Sequence, residues 1–458
     1  MARILVTEEI AEAGLGRLRA AGHEVDVRLG LDDEGLVEAL QGASALIIRS
    51  ATRVTAEVLD AVDGLLVVGR AGIGLDNVDV RAATRNGVMV VNAPLSNSVS
   101  AAEHTMALLL AQARNIPQAH ADLVAGRWNR SQWAGVELAD KTLGIIGLGR
   151  IGRMVAERAA AFGMRVIAHD PFVAEERARR LNIEMFDLVG VVEQSDFLTL
   201  HLARTPDTVG LIDASLLARA KPGMRLVNVA RGGIVDEAAL AEAIRTGQVA
   251  GAAIDVFAEE PTTESPLFEL EQVVVTPHLG ASTAEAQDKA GATIAEQVLL
   301  ALAGDYVPFA VNVDVGEAPD EIRPFVPLAE QLGAIFGALV ESLPERLDVE
   351  FRGAIGGVDD RLATLAVVKG LLDRVVAEAV TYVNAGDMAT ERGMEVRTIS
   401  TVESSDFLNL ITLRSGGHAL AGTLVGIRSE PRIVMVDDHA IDLPPSDHMV
   451  VVRNEDRP

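Results

Sequence analysis

The stretch Lys141-Thr-Leu-Gly-Ile-Ile-Gly147-Leu-Gly149-Arg-Ile-Gly152 carries a short apolar strand directly into a glycine-rich turn and a helix. The three glycines have different physical roles, because Gly147 permits the tight turn, Gly149 lets the backbone approach a pyrophosphate, and Gly152 lets the helix pack close to the strand. The N–H groups at the start of the helix, together with its dipole, then favour an anion. The stretch therefore predicts a dinucleotide-binding unit.

The acid that such a unit needs is supplied by Asp170. It ends the next predicted strand, about 20 residues beyond the turn, where a carboxylate can accept hydrogen bonds from both ribose hydroxyls. Negative charge there disfavours a 2′-phosphate, and no arginine directly follows Asp170, so the pattern favours NAD over NADP. The alternative is a glycine-rich turn between a strand and a helix that binds no ligand.

Runs of Val, Ile and Leu alternate with helical stretches on both sides of this unit, which is typical of parallel sheets covered by helices. We predict strands at 4–7, 46–49, 65–69, 88–92, 197–201, 225–228, 252–255 and 273–276. After residue 314 we predict helices at 328–343 and 362–383, then antiparallel strands at 395–400, 408–414, 418–427 and 432–437. The predicted fold class is α/β, with two Rossmann- or flavodoxin-like doubly wound domains of parallel sheet and a C-terminal α+β accessory domain.

The order of these segments predicts that the chain leaves its first domain and later returns to it. We expect a discontinuous substrate-binding domain at 1–97 and 281–313, with an NAD-binding Rossmann domain at 98–280 inserted between the two parts. The accessory domain follows at 314–446. Residues 447–458 begin a further strand and stop, so we expect them to be the truncated start of another domain.

Composition and charge argue against several classes of function. The chain carries a formal net charge of −26, which disfavours nucleic acid and anionic membrane surfaces as partners. It has no cysteine, so disulfides, thiolate catalysis and cysteine-ligated metals are excluded. Its nine histidines do not cluster as metal ligands, and no apolar run reaches the length of a membrane span. We therefore expect a cytoplasmic protein without a metal.

Three polar residues follow predicted strands of the NAD-binding domain, at the edge of the sheet where ligands of α/β proteins bind. The planar guanidinium of Arg231 suits a carboxylate or keto oxygen. His278 can take up a proton, and the carboxylate of Glu260 beside it would stabilise the protonated imidazole. Oxidising a hydroxyl by hydride transfer needs such a base and such a cation. Taken singly, Arg231 could instead cap strand carbonyls, and His278 could be structural. Asp255 ends another strand and could reach the cofactor amide.

Several runs of the chain resemble a known family. They are Arg49-Ser-Ala-Thr52, Gly69-Arg-Ala-Gly72-Ile-Gly74-Leu-Asp76-Asn77-Val-Asp79, Gly147-Leu-Gly-Arg-Ile-Gly152, Glu260-Pro261 and His278-Leu-Gly-Ala-Ser-Thr283. Over about residues 1–313 the chain resembles the D-isomer-specific 2-hydroxyacid dehydrogenases, and the second and last of these runs look like the branch that acts on 3-phosphoglycerate. The resemblance implies NAD-dependent oxidation of 3-phospho-D-glycerate to 3-phosphooxypyruvate, the first step of L-serine biosynthesis.

The resemblance also implies roles for individual residues. His278 would be the acid/base, Glu260 its partner and Arg231 the substrate anchor. The implied substrate contacts are Arg49 for the phosphate, Ser50, Gly72, Ile73, Gly74, Asn97 and, from a neighbouring subunit, Arg130. The implied cofactor contacts are Gly147, Gly149, Arg150, Ile151, Gly152, Asp170, Val229, Ala230, Asp255, Gly280 and Ala281. For Arg130 the alternative is ordinary surface charge.

After residue 314 the chain resembles the intervening, allosteric-substrate-binding domain of the long form of these enzymes. Residues 450–458 resemble the first strand of a serine-binding ACT domain, so we expect no ordinary feedback inhibition by serine. The family helix around 98–130 commonly pairs subunits, which implies a homodimer or homotetramer. Two other functions stay open: another D-2-hydroxyacid dehydrogenase, such as a hydroxypyruvate or glyoxylate reductase, and a corepressor-like scaffold that binds NAD without turnover.

Overall fold

The computed structural model describes residues 1–313, 319–340, 342–378, 380–404, 406–426, 428–437, 439–446 and 448–452. Its chain divides into two compact units, Met1–Ala93 with Gly291–Pro458 and Pro94–Ala290. The chain leaves the first unit after Ala93 and returns at Gly291, and the accessory region belongs to this same unit; the finer domain boundaries stay predictions. Of the predicted terminal segment 447–458, residues 447 and 453–458 lie outside the described residues, and 448–452 form no strand.

Residues 1–93, all of them described, form a parallel sheet of five strands in the order β2-β1-β3-β4-β5. The strands are β1 Arg3–Val6, β2 Glu24–Val27, β3 Ala45–Ile48, β4 Val67–Arg70 and β5 Met89–Asn92, and the helices are α1 Glu12–Ala20, α2 Asp33–Leu40, α3 Ala56–Asp60 and α4 Val80–Arg85. Three helices begin at a side-chain cap, because Asp32, Thr55 and Asp79 each accept a hydrogen bond from the amide three residues on. The apolar strands are buried between the helices, as the sequence predicts.

The second unit is built on a parallel sheet of seven strands in the order β12-β11-β10-β9-β6-β7-β8. Its strands are β6 Thr142–Ile146, β7 Arg165–His169, β8 Glu184–Met185, β9 Phe197–Leu200, β10 Met224–Asn228, β11 Val249–Ile254 and β12 Val273–Val275. Its helices are α5 Ser98–Ala113, α6 Ile116–Val124, α7 Arg150–Ala161, α8 Glu175–Arg179, α9 Leu188–Gln194, α10 Ala214–Leu217, α11 Glu237–Arg245 and the first part of α12 Ala284–Ala303.

The strand order of this sheet reverses between β6 and β9, and ligands of open α/β sheets bind outside the carboxyl ends of the strands at such a point. The carboxyl ends are also aligned from strand to strand: Ile146 pairs with Leu200, and Ile254 pairs with Val275. Residues that follow these strands therefore emerge along one edge of the sheet. The parallel α/β fold class predicted for residues 1–313 is confirmed in both sheets.

The described residues from 319 onward form a mixed sheet in the order β14-β13-β15-β16-β17-β18, packed against two long helices. The strands are β13 Arg346–Gly353, β14 Glu395–Thr401, β15 Asn409–Ser415, β16 His418–Val425, β17 Glu430–Val436 and β18 His439–Leu443, and the helices are α13 Val326–Val340, α14 Arg361–Val375 and α15 Ala385–Glu391. Glycines bring α13 and α14 together: a Cβ on Gly333 would lie 2.1 Å from the carbonyl oxygen of Val367. The predicted α+β accessory domain is confirmed.

Two predictions within this region are wrong. The predicted strands omit β13, and β14 pairs with β13 in parallel rather than joining an antiparallel meander. The connection between these two strands runs through α14 and α15, and a crossover of that length allows parallel pairing, whereas a short turn imposes antiparallel pairing. The predicted helix at 362–383 is also too long, because α14 ends at Val375.

Candidate active site

The glycine turn after β6 has the geometry that a dinucleotide requires. Gly147 has φ +95°, and a Cβ there would lie 2.4 Å from the carbonyl oxygen of His201. A Cβ on Gly152 would lie 2.2 Å from the carbonyl oxygen of Gly147, so only glycine lets α7 pack this close to the turn. At Gly149 none of the described atoms lies within 4 Å of the position that a Cβ would take, which leaves open space for a pyrophosphate beside the backbone.

The first amides of α7 complete this anion site. The N-cap residue is Gly149, which has no side chain, so no capping side chain occupies the first N–H groups of the helix that begins at Arg150. Arg150 itself donates from Nη1 to the carbonyl oxygen of Pro94 at 2.8 Å. The residues of the turn therefore fit the phosphates of NAD through backbone N–H groups and the helix dipole.

Asp170 lies at the end of β7, where the ribose of a dinucleotide is expected. Its two oxygens accept hydrogen bonds from the amides of Leu148 (2.8 Å) and Phe172 (2.9 Å). Each carboxylate oxygen can accept a further hydrogen bond, so Asp170 keeps acceptors for two ribose hydroxyls. The bond to Leu148 ties the carboxylate to the glycine turn and sets its orientation.

His278 and Glu260 form a close pair beyond β12. Nδ1 of His278 lies 2.6 Å from Oε2 of Glu260, and Oε1 of Glu260 accepts from the amide of Phe257 at 2.8 Å. Burial raises the pKa of Glu260, but the hydrogen bonds from His278 and Phe257 outweigh burial and hold that pKa below its ordinary value. The imidazole side chain is 44% exposed. Because Nδ1 faces the acid, Nε2 is the nitrogen that can exchange a proton with a ligand.

The turn that carries His278 is held by the carboxylate of Asp255. His278 has φ +54°, and its N–H donates to the carbonyl oxygen of Asp255 at 2.8 Å. The Asp255 side chain is fully buried and accepts from the amides of Leu279 (2.7 Å) and Gly280 (2.9 Å). Burial raises the pKa of Asp255, but hydrogen bonds from His104, Thr276 and the Leu279 amide together lower that pKa by more, so the carboxylate stays ionised.

The sequence predictions assign no site role to three polar residues that support this site: His104, Thr276 and Glu237. Nε2 of His104, on α5, lies 3.2 Å from Oδ1 of Asp255 and 3.2 Å from Oγ1 of Thr276. Glu237, at the start of α11, accepts from the amide of Ala258 at 2.8 Å and so holds the loop that leads to Glu260. These partners are far apart in sequence, and no local pattern signals their contacts.

Arg231 follows β10 at the same edge of the sheet, with β11 between it and β12. Asn228 fixes its turn by accepting from the amide of Ala230 (3.0 Å) and donating to the carbonyl oxygen of Arg231 (3.0 Å). Nη1 of Arg231 donates to the carbonyl oxygen of Ala230 at 2.7 Å, so the guanidinium does cap a strand-end carbonyl, as the alternative interpretation expects. A guanidinium carries its five N–H donors in a planar fork, a geometry that suits a carboxylate.

The implied cofactor contacts all lie in the second unit, and most follow the strands of its sheet. Val229, Ala230 and Gly280 are buried, and Ile151 and Ala281 are half-buried. The Asp255 side chain is fully buried and accepts the amides of Leu279 and Gly280, so it holds the His278 turn. Its contact with the cofactor amide stays a prediction.

The implied substrate contacts divide between the units. Arg49 and Ser50 follow β3, and Gly72–Gly74 follow β4, so these two loops are neighbours in the first unit. Asn97 and Arg130 belong to the second unit, where Asn97 is the N-cap residue of α5 and Arg130 is exposed. Within the described residues, Oδ1 of Asn97 is buried without a hydrogen-bond partner, which is unusual for an amide oxygen and fits a ligand contact.

The described residues contain neither a candidate metal site nor a candidate membrane-spanning helix. Within 1–313 and the described parts beyond, no three His, Asp or Glu side chains are arranged to hold a metal ion. The described helices include none long and apolar enough to cross a membrane.

Comparisons with known proteins match both parts of the chain. Residues 106–280 match the model of the D-isomer specific 2-hydroxyacid dehydrogenase NAD binding domain, and residues 321–437 match that of the D-3-phosphoglycerate dehydrogenase intervening domain. The chain is 49% identical to a D-3-phosphoglycerate dehydrogenase of Mycobacterium leprae over 99% of this chain and 87% of that one. It is 42% identical to one of Synechocystis over 100% of this chain and 84% of that one.

Solved structures match about two-thirds of the chain. The TT0316 protein from Thermus thermophilus is 36% identical, with a TM-score of 0.63 over 68% of this chain and 99% of that one. An NAD-dependent formate dehydrogenase from Staphylococcus aureus, in complex with NAD, is 31% identical, with a TM-score of 0.61 over 67% of this chain and 97% of that one.

Proposed function

The chain belongs to the D-3-phosphoglycerate dehydrogenases, within the D-isomer-specific 2-hydroxyacid dehydrogenases, and we propose that it oxidises 3-phospho-D-glycerate to 3-phosphooxypyruvate with NAD. This reaction is the first step of L-serine biosynthesis. The observation that carries the proposal is the 2.6 Å pair of His278 and Glu260 at the edge of a sheet whose glycine turn fits a dinucleotide.

The proposed chemistry is a coupled transfer of a hydride and a proton. The glycine turn and Asp170 would hold NAD, which would supply the acceptor for a hydride from the carbon that carries the substrate hydroxyl. Nε2 of His278 takes the hydroxyl proton as that C–H bond breaks and the C=O bond forms, so the products are the ketone, NADH and a protonated imidazole. Glu260 keeps the ring oriented and stabilises the imidazolium, because a negative charge beside the ring favours its protonated form.

Arg231 is the proposed anchor for the substrate carboxylate. Its turn is fixed by Asn228, so the guanidinium approaches a ligand from a rigid base. A cation at this position also stabilises the negative charge that develops on the hydroxyl oxygen in the transition state. The substrate phosphate is assigned to Arg49 and Ser50, with further contacts from Gly72–Gly74 and Asn97.

We also propose a homodimer or homotetramer built through α6 and the loop after it. Three apolar side chains stand out from this part of the second unit: Leu123 is 57% exposed, Val124 74% and Trp128 80%. Asp122 orders the loop by accepting hydrogen bonds from Arg127 and from the ring N–H of Trp133. In such an assembly Arg130 of one subunit would serve the site of its neighbour. A cytoplasmic location stays a prediction.

The deciding experiment is a steady-state assay of NADH formation by absorbance, with NAD and 3-phospho-D-glycerate, and with His278→Ala as the control. Turnover that the substitution abolishes supports the proposal. Turnover of hydroxypyruvate or glyoxylate with no activity on the phosphorylated acid would make the chain another 2-hydroxyacid dehydrogenase. NAD binding without turnover of any hydroxy acid would leave the corepressor-like scaffold as the better description.

A further inference from the structure

The loop that follows β3 is held by a carboxylate from the neighbouring loop. Glu8 lies two residues after β1, and its Oε1 accepts from the amides of Arg49 (2.7 Å) and Thr52 (3.0 Å). Its Oε2 accepts from the amide of Ala51 at 3.1 Å. Because β1 and β3 are adjacent parallel strands, Glu8 reaches the loop from the same edge of the sheet. A carboxylate that accepts three N–H groups is a strong, charge-assisted anchor for a loop.

The same loop is also held from its other side. The side-chain amide of Asn77 donates to the carbonyl oxygens of Arg49 (2.9 Å) and Thr52 (2.6 Å), and Oγ1 of Thr7 lies 2.8 Å from Oγ1 of Thr52. Glu8 takes the amides on either side of Ser50 but not that of Ser50 itself. The exposed Ser50 and the half-buried Arg49 side chain are thus presented by a backbone with little freedom to move.

We propose that Glu8 is a positioning residue for recognition of the substrate phosphate. Its carboxylate sets residues 49–52 so that Arg49 and Ser50 offer their donors to a phosphate monoester, and it acts only through this loop. The inference rests on the proposed function, which assigns the phosphate to Arg49. Orientation of this kind raises affinity because the binding groups need no further ordering when the ligand arrives.

The alternative role for a carboxylate close to a phosphate site is electrostatic repulsion of the ligand. An unscreened negative charge would repel the ligand, so its removal would strengthen phosphate binding. The three amides that point at Glu8 compensate its charge locally, which favours positioning over repulsion. The two roles therefore predict opposite signs for the change in KM when the charge is removed.

The test compares Glu8→Gln with Glu9→Gln, which removes the same charge from the exposed neighbouring residue. A glutamine at position 8 keeps one acceptor oxygen but turns an NH₂ donor towards the loop amides. We expect Glu8→Gln to raise KM for 3-phospho-D-glycerate about tenfold, with kcat and KM for NAD within about twofold of wild type. Glu9→Gln is expected to leave all three constants within about twofold.

Two further variants separate positioning from a general loss of structure. Glu8→Asp keeps the charge and both oxygens, and is expected to recover part of the lost affinity. In an Arg49→Ala background, Glu8→Gln is expected to change KM by no more than about twofold, because coupled residues do not add. Circular dichroism melts show whether each variant is folded; if Glu8→Gln does not fold, the KM of Glu8→Asp decides.

The outcomes are distinguishable. An unchanged or lower KM in a folded Glu8→Gln or, failing that, Glu8→Asp variant would overturn the role of Glu8 while leaving the proposed function intact. A full tenfold effect in the Arg49→Ala background would show that Glu8 does not act through Arg49, the residue to which the phosphate is assigned, and would overturn the proposal. Wild-type protein that does not turn over 3-phospho-D-glycerate would overturn the proposed function, and with it the ligand assigned to the loop.

Discussion

Two carboxylates hold loops at the carboxyl-terminal edges of the two parallel sheets, and they differ in burial. Asp255 is fully enclosed and accepts the amides of Leu279 and Gly280 beside His278. Glu8 is half-buried and accepts three amides of the loop that begins at Arg49. The same interaction thus orders the turn that carries His278 in one sheet and the loop that carries Arg49 in the other.

The difference in burial decides how much each carboxylate matters for stability. Water cannot replace the buried carboxylate of Asp255, so the groups that bond to it would be left without a partner if it were removed. Water can reach the half-buried Glu8 and take over part of its hydrogen bonding. We therefore expect changes at the Asp255 edge to affect both folding and chemistry, and changes at the Glu8 edge to affect affinity.

The largest expected effect separates chemistry from binding. His278→Ala should lower kcat by about 10² to 10⁴, because the hydroxyl proton then lacks a positioned acceptor. Arg49→Ala should instead raise KM for the phosphorylated acid and leave kcat within a few-fold. Steady-state kinetics of both variants check this contrast. If both substitutions changed the same constant, the division between a chemical and a binding edge would be wrong.

The second effect tests the role of burial. Asp255→Asn keeps the size of the side chain but turns an NH₂ group towards one of its N–H or O–H donors, and should lower the free energy of unfolding by about 2 kcal/mol. Urea denaturation of Asp255→Asn and of Glu8→Gln gives the free energy of unfolding of each variant for comparison. Equal loss in the two variants would show that burial does not set the difference.

The third effect is a pH dependence at Glu260. The pKa of Glu260 is lower in the folded protein than its ordinary value. The ionised carboxylate therefore stabilises the folded state at any pH above the pKa of glutamate in the unfolded chain, about 4.3. This stabilisation is lost as the pH falls through the lower pKa of the folded protein. The stability difference between wild type and Glu260→Gln should therefore be largest near neutral pH and shrink below about pH 4. Denaturation midpoints measured across this range check it. A difference that grows in acid would contradict the assignment of the shift.

The smallest expected effect is at His104. Its imidazole makes two long bonds, each 3.2 Å, to Asp255 and Thr276, so His104→Leu should lower kcat only several-fold. His104→Gln retains a side-chain donor and should recover most of that loss. Kinetics with saturating NAD compare the two variants. Equal activity in the leucine and glutamine variants would exclude a contribution of this hydrogen bond.

The glycine turn and the strand-end residues could be predicted because their requirements are local. Gly147 needs a positive φ, and Gly152 needs a missing side chain, whatever the rest of the chain does. Arg231 and His278 follow apolar strands, and parallel strands bring their carboxyl ends to one edge. In the accessory region the alternation of Leu347, Val349 and Phe351 with charged residues is a strand signal, yet the parallel partner of that strand could not be read from it.

Residue order and chemistry alone thus determined the α/β class and the glycine turn, because backbone geometry and side-chain type act over a few neighbouring positions. They also predicted that His278 and Glu260 form a pair, and the two side chains are in contact; their role in proton transfer stays a prediction. Only the tertiary structure decided which distant groups support them. Glu8 and Arg49 are 41 positions apart, and His104 and Asp255 are 151 apart. Such contacts depend on how strands pair and helices pack, and the sequence around a polar side chain does not indicate its distant hydrogen-bond partner.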